Sequence, residues 1–305
     1  AVPQLSPGPV IGAGGYLGLW WFFPRTVVFA PNAGRTVDPA SDPGPAALTR
    51  LGVDRAFRVQ AGPPPASIAC WQLDPPGGAA PRGTVLVLHG IRDSKRSLLG
   101  AGRALARDGL RAVLVDLRGH GRSGGTYLGF GLREARDLQQ LLQQLAARGR
   151  LVLPVGALGF SSGGAAALHL AAREPRVRSV VTVATFSRMH DVVKRYAHRY
   201  LVGHLFTSGQ LDRGIDRAGA LGGFDARQAD SVRAIARARA RVLLIHGTAD
   251  DNIPADHARQ LHRAAPRRSR LKLVRGATHA LVFDRDGEVL RAARAWFERT
   301  LVDRR

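Results

Sequence analysis

The 305-residue chain is poor in several things at once. It has one cysteine, Cys70, one methionine and only three lysines. A lone thiol excludes an internal disulfide and leaves no cysteine cluster for a metal. The ten histidines are scattered, with no HExxH and no paired spacing, so neither a metal site nor a cofactor is expected. Acidic residues are scarce too: 23 against 45 basic ones, for a net charge of +22. Nearly all the base is arginine and runs the length of the chain, whereas a nucleic-acid binder concentrates it on one face or tail. No nucleic-acid partner is therefore expected; attraction to an anionic membrane surface fits the charge better.

What is present reads as globular. Apolar residues make up 45% and charged residues 22%, enough for a sizeable core in one α/β domain with an insertion. Residues 1–24 carry no charge and include Tyr16 to Phe23, followed by Pro24-Arg25. Aromatics ahead of a cation resemble the interfacial end of a membrane segment, although the apolar part is short for a spanning helix. The alternatives are a membrane anchor, with the remainder extracytoplasmic or cytoplasmic, and an apolar arm packed on the domain. The chain starts at Ala1, so sequence upstream is also conceivable. Residues 25–54 read as linker.

From residue 55 the pattern is strand and helix in alternation. Strands are expected at 55–60, 66–73, 84–88, 112–115, 151–158, 177–183, 242–245 and 271–274. Helices are expected near 96–108, 131–147, after Gly163, after Pro254 and at 284–301. Alternation of this kind implies a mostly parallel sheet covered on both faces. The segment 186–238 breaks the rhythm and reads as a cap. Its Met189, Tyr196, Tyr200, Leu201, Leu205 and Phe206 either line an acyl pocket or pack the insertion on the core.

The chemistry centres on Gly159-Phe160-Ser161-Ser162-Gly163, between an apolar run and a small-residue run. Strand, Gly-x-Ser-x-Gly, helix is the context of a nucleophile elbow, a sharp turn that holds a serine hydroxyl above the sheet. Residues two before and two after the serine pass so closely that they must be small. Ser161 meets this test with Gly159 and Gly163; Ser162 would have Phe160 at one of the two places. Sites of open α/β sheets lie beyond the carboxyl ends of strands. Asp250 and Asp251 follow the strand ending at Ile245, and His279 follows the strand ending at Val274. The order Ser161, Asp250, His279 is that of a hydrolytic Ser-Asp-His set.

With these residues in view, the chain resembles the α/β-hydrolase superfamily, most closely its serine aminopeptidase-like and monoacylglycerol-lipase-like branch. The resemblance rests on His89-Gly90, Asp116 to Gly125, Gly131 to Asp137, the elbow, His246 to Pro254 and Gly276 to His279, and covers about residues 55–300. It implies an eight-stranded, mostly parallel sheet with helices on both faces and a small helical cap. It favours Asp250 over Asp251 as the acid, and an N-terminal hydrophobic tether. It also implies an oxyanion hole from the backbone N–H groups of Ile91 and Ser162. His89, His120 and Arg122 read as scaffolding. A carboxylic-ester hydrolase acting on small-molecule or lipid acyl groups is the first expectation. A peptidase of the same fold would need an acidic pocket for an amino terminus, for which the cap offers Asp191, Asp212, Asp216 and Asp225. A non-catalytic binding module is the third reading.

Overall fold

The computed structural model describes residues 23–33, 43–199, 202–280 and 287–302. Eight strands form one sheet in the order β1-β2-β4-β3-β5-β6-β7-β8. They are β1 (Arg55–Ala61), β2 (Ala66–Leu73), β3 (Thr84–Leu88), β4 (Arg111–Val115), β5 (Val155–Phe160), β6 (Val177–Val183), β7 (Arg241–Gly247) and β8 (Ser269–Val274). β1 and β2 form an antiparallel pair and β2 meets β4 antiparallel; from β4 through β8 every neighbour is parallel. The strand reversals that put β3 between β4 and β5 leave the carboxyl ends of β3, β5, β7 and β8 on one edge, where the site is built.

The helices are α1 (Pro45–Arg50), α2 (Leu99–Arg107), α3 (Leu132–Ala147), α4 (Ser162–Arg173), α5 (Met189–Arg199), α6 (Ser208–Gly222), α7 (Ser231–Arg237), α8 (Asp256–Ala264) and α9 (Glu288–Phe297). Strand alternation divides the core. In β3, which is buried throughout, Leu86 and Leu88 face a cluster with Leu138, Leu141 and Leu142 of α3, Leu168 of α4 and Leu261 of α8. Val85 and Val87 face the opposite cluster, with Leu105 of α2 and Trp296 and Phe297 of α9. A strand buried on both faces needs this continuous apolar run, which is why it lacks a polar face in the sequence.

Two stretches differ from the sequence reading. The linker expected at 25–54 is packed against the domain where it is described. Val28 is fully buried, Leu128 N–H donates to Val28 O at 2.7 Å, and Ala30 N–H donates to Thr126 O at 2.9 Å. Asn32 Nδ2 donates to the carbonyls of Gly121 and Ser123, and Pro45–Arg50 is a helix. The apolar run 27–30 outweighs the Pro/Gly-rich composition around it. The residues 1–22 of the expected anchor lie outside the described residues; among those described, no helix is long and apolar enough to cross a membrane.

The segment 186–238 is also not one unit. α5 and α6 pack in a third cluster with Phe23, Val28, Phe130 and Phe186, but α7 packs through Ala234 and Ile235 into the sheet-side core with α3 and α4. α7 is thus the crossover helix that returns the chain to parallel β7, and the insertion proper is shorter than expected. The last helix ends in a π-helical turn, Glu298–Val302.

His169 on α4 lies in the core with Nε2 unpartnered, and burial pulls its pKa down to about 4. Its unfolded counterpart titrates near 6.5. The unfolded chain therefore takes up a proton that the native one refuses, and stability is present above pH 6.5 and lost as pH falls toward 4. Urea unfolding between pH 7 and 4 should show a slope of about 1.4 kcal/mol per pH unit for each such imidazole. His169→Leu should flatten the profile by one such share.

Candidate active site

β5 runs straight into Ser161, and α4 begins at Ser162. Ser161 has φ 51° and ψ −116°, a conformation that a non-glycine residue adopts only when its surroundings force it, at a cost on the order of 1–3 kcal/mol. The surroundings are explicit. Ser161 N–H donates to Val183 O at 2.8 Å, and Ser161 O accepts from Gly164 N–H at 3.0 Å and from Thr185 Oγ1 at 3.2 Å. A Cβ on Gly159 would lie 2.3 Å from Gly163 O; one on Gly163 would lie 2.4 Å from Leu88 O and 2.5 Å from His89 O. The size test applied to the sequence is therefore a contact between backbones.

His279 lies two residues beyond Ala277 in the turn after β8. Its Nδ1 is 2.8 Å from Asp250 Oδ2, and because an ionised carboxylate only accepts, Nδ1 is the donor. The imidazole lies against the Phe160 ring at 5.3 Å, next to Ser161. Asp250 Oδ1 accepts from Asn252 N–H at 3.0 Å and Ile253 N–H at 2.8 Å. Burial pushes the Asp250 carboxyl up, but the donors from His246, His279 and Ile253 outweigh it and hold the group well below the usual carboxylate range. Asp251 is exposed, and it is its carbonyl that is engaged, accepting from Arg195 Nε and Nη2 at 3.0 and 2.7 Å. Among the described residues no hydrogen bond joins Ser161 Oγ to His279, a bond that often tightens only with substrate present.

A model of the family described as serine aminopeptidase, S33, matches residues 79–220. A monoacylglycerol lipase of Mycolicibacterium smegmatis is 26% identical over 242 residues, 65% of this chain and 81% of that protein. The magnesium-chelatase 30 kDa subunit of Rhodobacter capsulatus is 37% identical over 139 residues, 45% of each chain. An esterase from Pyrococcus furiosus superposes with a TM-score of 0.66 at 17% identity, covering 88% of this chain and 99% of that one. The chain has the α/β-hydrolase fold and, over residues 79–220, is similar to the serine aminopeptidase, S33, family. It is an enzyme, a serine hydrolase of lipase and esterase type.

In this hydrolase the residues read from sequence as scaffolding do specific work beside Ile91. His89 is fully buried; its Nδ1 donates to Gly90 O at 2.7 Å and its Nε2 accepts from Leu117 N–H at 3.0 Å. The Leu117 donor leaves the ring neutral, and burial takes its pKa down to about 4. His89 thus fixes the Gly90–Ile91 turn to the loop after β4. Asp116, 1% exposed, does the same from below: it accepts from Lys95 N–H and Arg122 N–H at 2.7 Å each and pairs with Lys95 Nζ, which also lies over Trp71. Sequence reasoning passed over Lys95; its rarity as one of three lysines in an arginine-rich chain was the available signal. His120 stacks edge-on against His89 at 5.0 Å.

Ile91 is 41% exposed while Ser162 is buried, and among the described residues neither N–H donates to a protein acceptor. The cap residues divide: Met189 and Phe206 are buried in the cluster that packs the insertion on the body, and Leu205 is exposed. Tyr200 and Leu201 lie outside the described residues. Among the described residues no three His, Cys, Asp or Glu side chains gather to hold a metal.

Gly163→Ala should destabilise the protein by a few kcal/mol, as backbone overpacking does, because Leu88 O and His89 O cannot move aside independently of β3. Urea midpoints for that variant and for Gly149→Ala would compare the elbow with a left-handed turn glycine whose Cβ would meet nothing.

Proposed function

We propose that the enzyme cleaves carboxylic esters through an acyl-enzyme on Ser161. The observation that carries this reading is the Asp250–His279 bond, brought by the ends of β7 and β8 to the ring of Phe160 beside the strained Ser161. With Nδ1–H committed to Asp250, His279 presents Nε2 as the base. Ser161 Oγ attacks the carbonyl carbon while its proton passes to Nε2. The resulting oxyanion accepts from the backbone N–H groups of Ile91 and Ser162, donors typically worth about 3 kcal/mol each. Collapse expels the alcohol, which takes the proton from His279. Water then repeats the sequence on the acyl-enzyme and frees the acid. Asp250 orients the imidazole and stabilises its charged form.

The charge of the cap supports an ester over an amino-terminal peptide substrate. Asp212 pairs with Lys194, Asp216 with His190 and Arg227, and Asp191 with Arg188, while Asp225 caps Arg227 N–H. Each carboxylate that an aminopeptidase could offer to an ammonium is already engaged. A lipid-derived acyl group fits the apolar N-terminal sequence. The described part of that arm enters the cap cluster through Phe23, whose ring lies 6.4 Å from that of Phe206. We extend the proposal to membrane association through residues 1–22, with the catalytic domain held at the surface.

Initial rates on p-nitrophenyl esters from acetate to palmitate test the reaction. Ser161→Ala should lose about 10⁶-fold in turnover and Asp250→Asn about 10⁴-fold, while Asp251→Asn stays near wild type. Ester turnover that survives Ser161→Ala would overturn the assignment. Separately, deleting residues 1–20 should move the protein from the membrane to the soluble fraction; a full chain that is soluble beforehand removes the anchor.

A further inference from the structure

The carboxylate oxygen that holds His279 is shared with a second imidazole that the reaction above does not use. His246, the penultimate residue of β7, is 1% exposed, and its Nε2 lies 2.7 Å from Ile253 O and 3.4 Å from Asp250 Oδ2. A backbone carbonyl only accepts, so Nε2 carries the proton and donates to Ile253 O, with Asp250 Oδ2 the next oxygen beside that N–H at 3.4 Å. Nδ1 is then a bare acceptor, and it is buried with no partner. An apolar residue of the same shape would avoid that unpaired nitrogen; what it would lose is the Nε2 donor.

We propose that His246 is a positioning residue for the catalytic set: from a rigid strand it pins the turn Asp250–Ile253 and fixes Asp250 Oδ2, so that the looser His279 has a stationary acceptor. This rests on the reading of Asp250 as the acid partner of His279. The asymmetry of the two rings supports it. The His246 side chain is 1% exposed on β7, whereas the His279 side chain is 16% exposed on a turn. Of the donors that offset the burial of Asp250, His246 stands ahead of His279. The remaining oxygen, Oδ1, is taken by two backbone N–H groups, so Oδ2 is the only one whose direction the side chains decide. The neighbouring charged and titratable groups are His257 of α8, whose Nδ1 accepts from Ser187 N–H at 3.1 Å, and Asp191 and Arg195 of α5. Arg195 bonds the Asp251 carbonyl. None of these reaches Oδ2 with a hydrogen bond among the described residues.

The test uses three variants of the full chain. His246→Gln carries an amide nitrogen where Nε2 lies; His246→Asn reaches only as far as Nδ1; His246→Phe keeps the ring without a donor. Two readings are taken: kcat and KM on a p-nitrophenyl ester, and the low-field proton NMR signal of His279 Nδ1–H, which reports the bond to Asp250 without turnover. The Phe and Asn variants should lose on the order of tenfold or more in kcat with KM unchanged, and shift the Nδ1–H signal, as loss of an orienting partner does. The Gln variant should restore both. A Phe variant with wild-type kcat and an unmoved signal overturns the proposal. So does a Gln variant as impaired as the Phe variant, which would leave His246 only a packing role. Because the NMR reading needs no substrate, failure of ester hydrolysis and failure of this inference are separate results.

Discussion

The close passage of two backbones at the elbow sets the terms for the rest of the molecule. α4 leaves the tip of β5 so steeply that a Cβ on Gly163 would strike Leu88 O and His89 O at the end of β3, and one on Gly159 would strike Gly163. No side chain fits there, and Ser161 is left in a conformation its own sterics oppose. Strain of that kind persists only where the surroundings over-determine it. Here they do: β3, β5 and β6 lie in parallel register beneath the turn, and Val183 O, Gly164 N–H and Thr185 Oγ1 grip the Ser161 peptide from three sides.

The same edge of the sheet is organised by its scarce carboxylates. Asp116 gathers two backbone N–H groups and Lys95 beneath the Ile91 turn. Glu134 accepts from Gly129 and Gly131 N–H at the start of α3. Asp137 holds Arg118 by two bonds, and Arg118 in turn reaches Pro64 O. Asp250 takes two backbone N–H groups and the His279 imidazole, with His246 Nε2 3.4 Å from Oδ2. Each of these acids is buried and fully engaged, as a charge in a low-dielectric interior must be. With 23 acids against 45 bases, the chain keeps these few carboxylates where backbone N–H groups and buried cations need them.

Most of the frame was legible in the sequence because its signals are local. The strands could be placed because most are apolar runs, and β6 was placed to the residue because Val177 to Val183 is rich in β-branched residues between Pro175 and Ala184. The elbow was legible because glycine spacing records a steric contact directly. The less legible parts depend on long-range packing. Nothing within residues 25–33 reveals that Leu128 N–H and Thr126 O, a hundred residues on, will pair with them. α7 is seven residues long and resembles the cap helices before it; only its contact with α4 makes it a crossover. Lys95 carries no motif of its own, and the contacts of His89 and Lys95 are defined by Leu117 and Asp116 in the loop after β4.

The third hydrophobic cluster joins what sequence reasoning had separated. Phe23 and Val28 from the N-terminal arm, Leu128 and Phe130 from the loop after β4, and Met189, Phe206, Leu211 and Ile215 from the insertion pack as one unit above the sheet edge. Such a unit cannot shift piecemeal, because densely packed interiors transmit displacement. Phe130 and Leu128 also wall the small cavity that reaches Ile91 and Ser162. The arm thus touches the wall of that cavity both by apolar packing and by the backbone bond of Leu128 N–H to Val28 O. The arm and the insertion therefore share one cluster, and the bonds of Val28 and Ala30 to Leu128 and Thr126 tie the arm to the loop after β4.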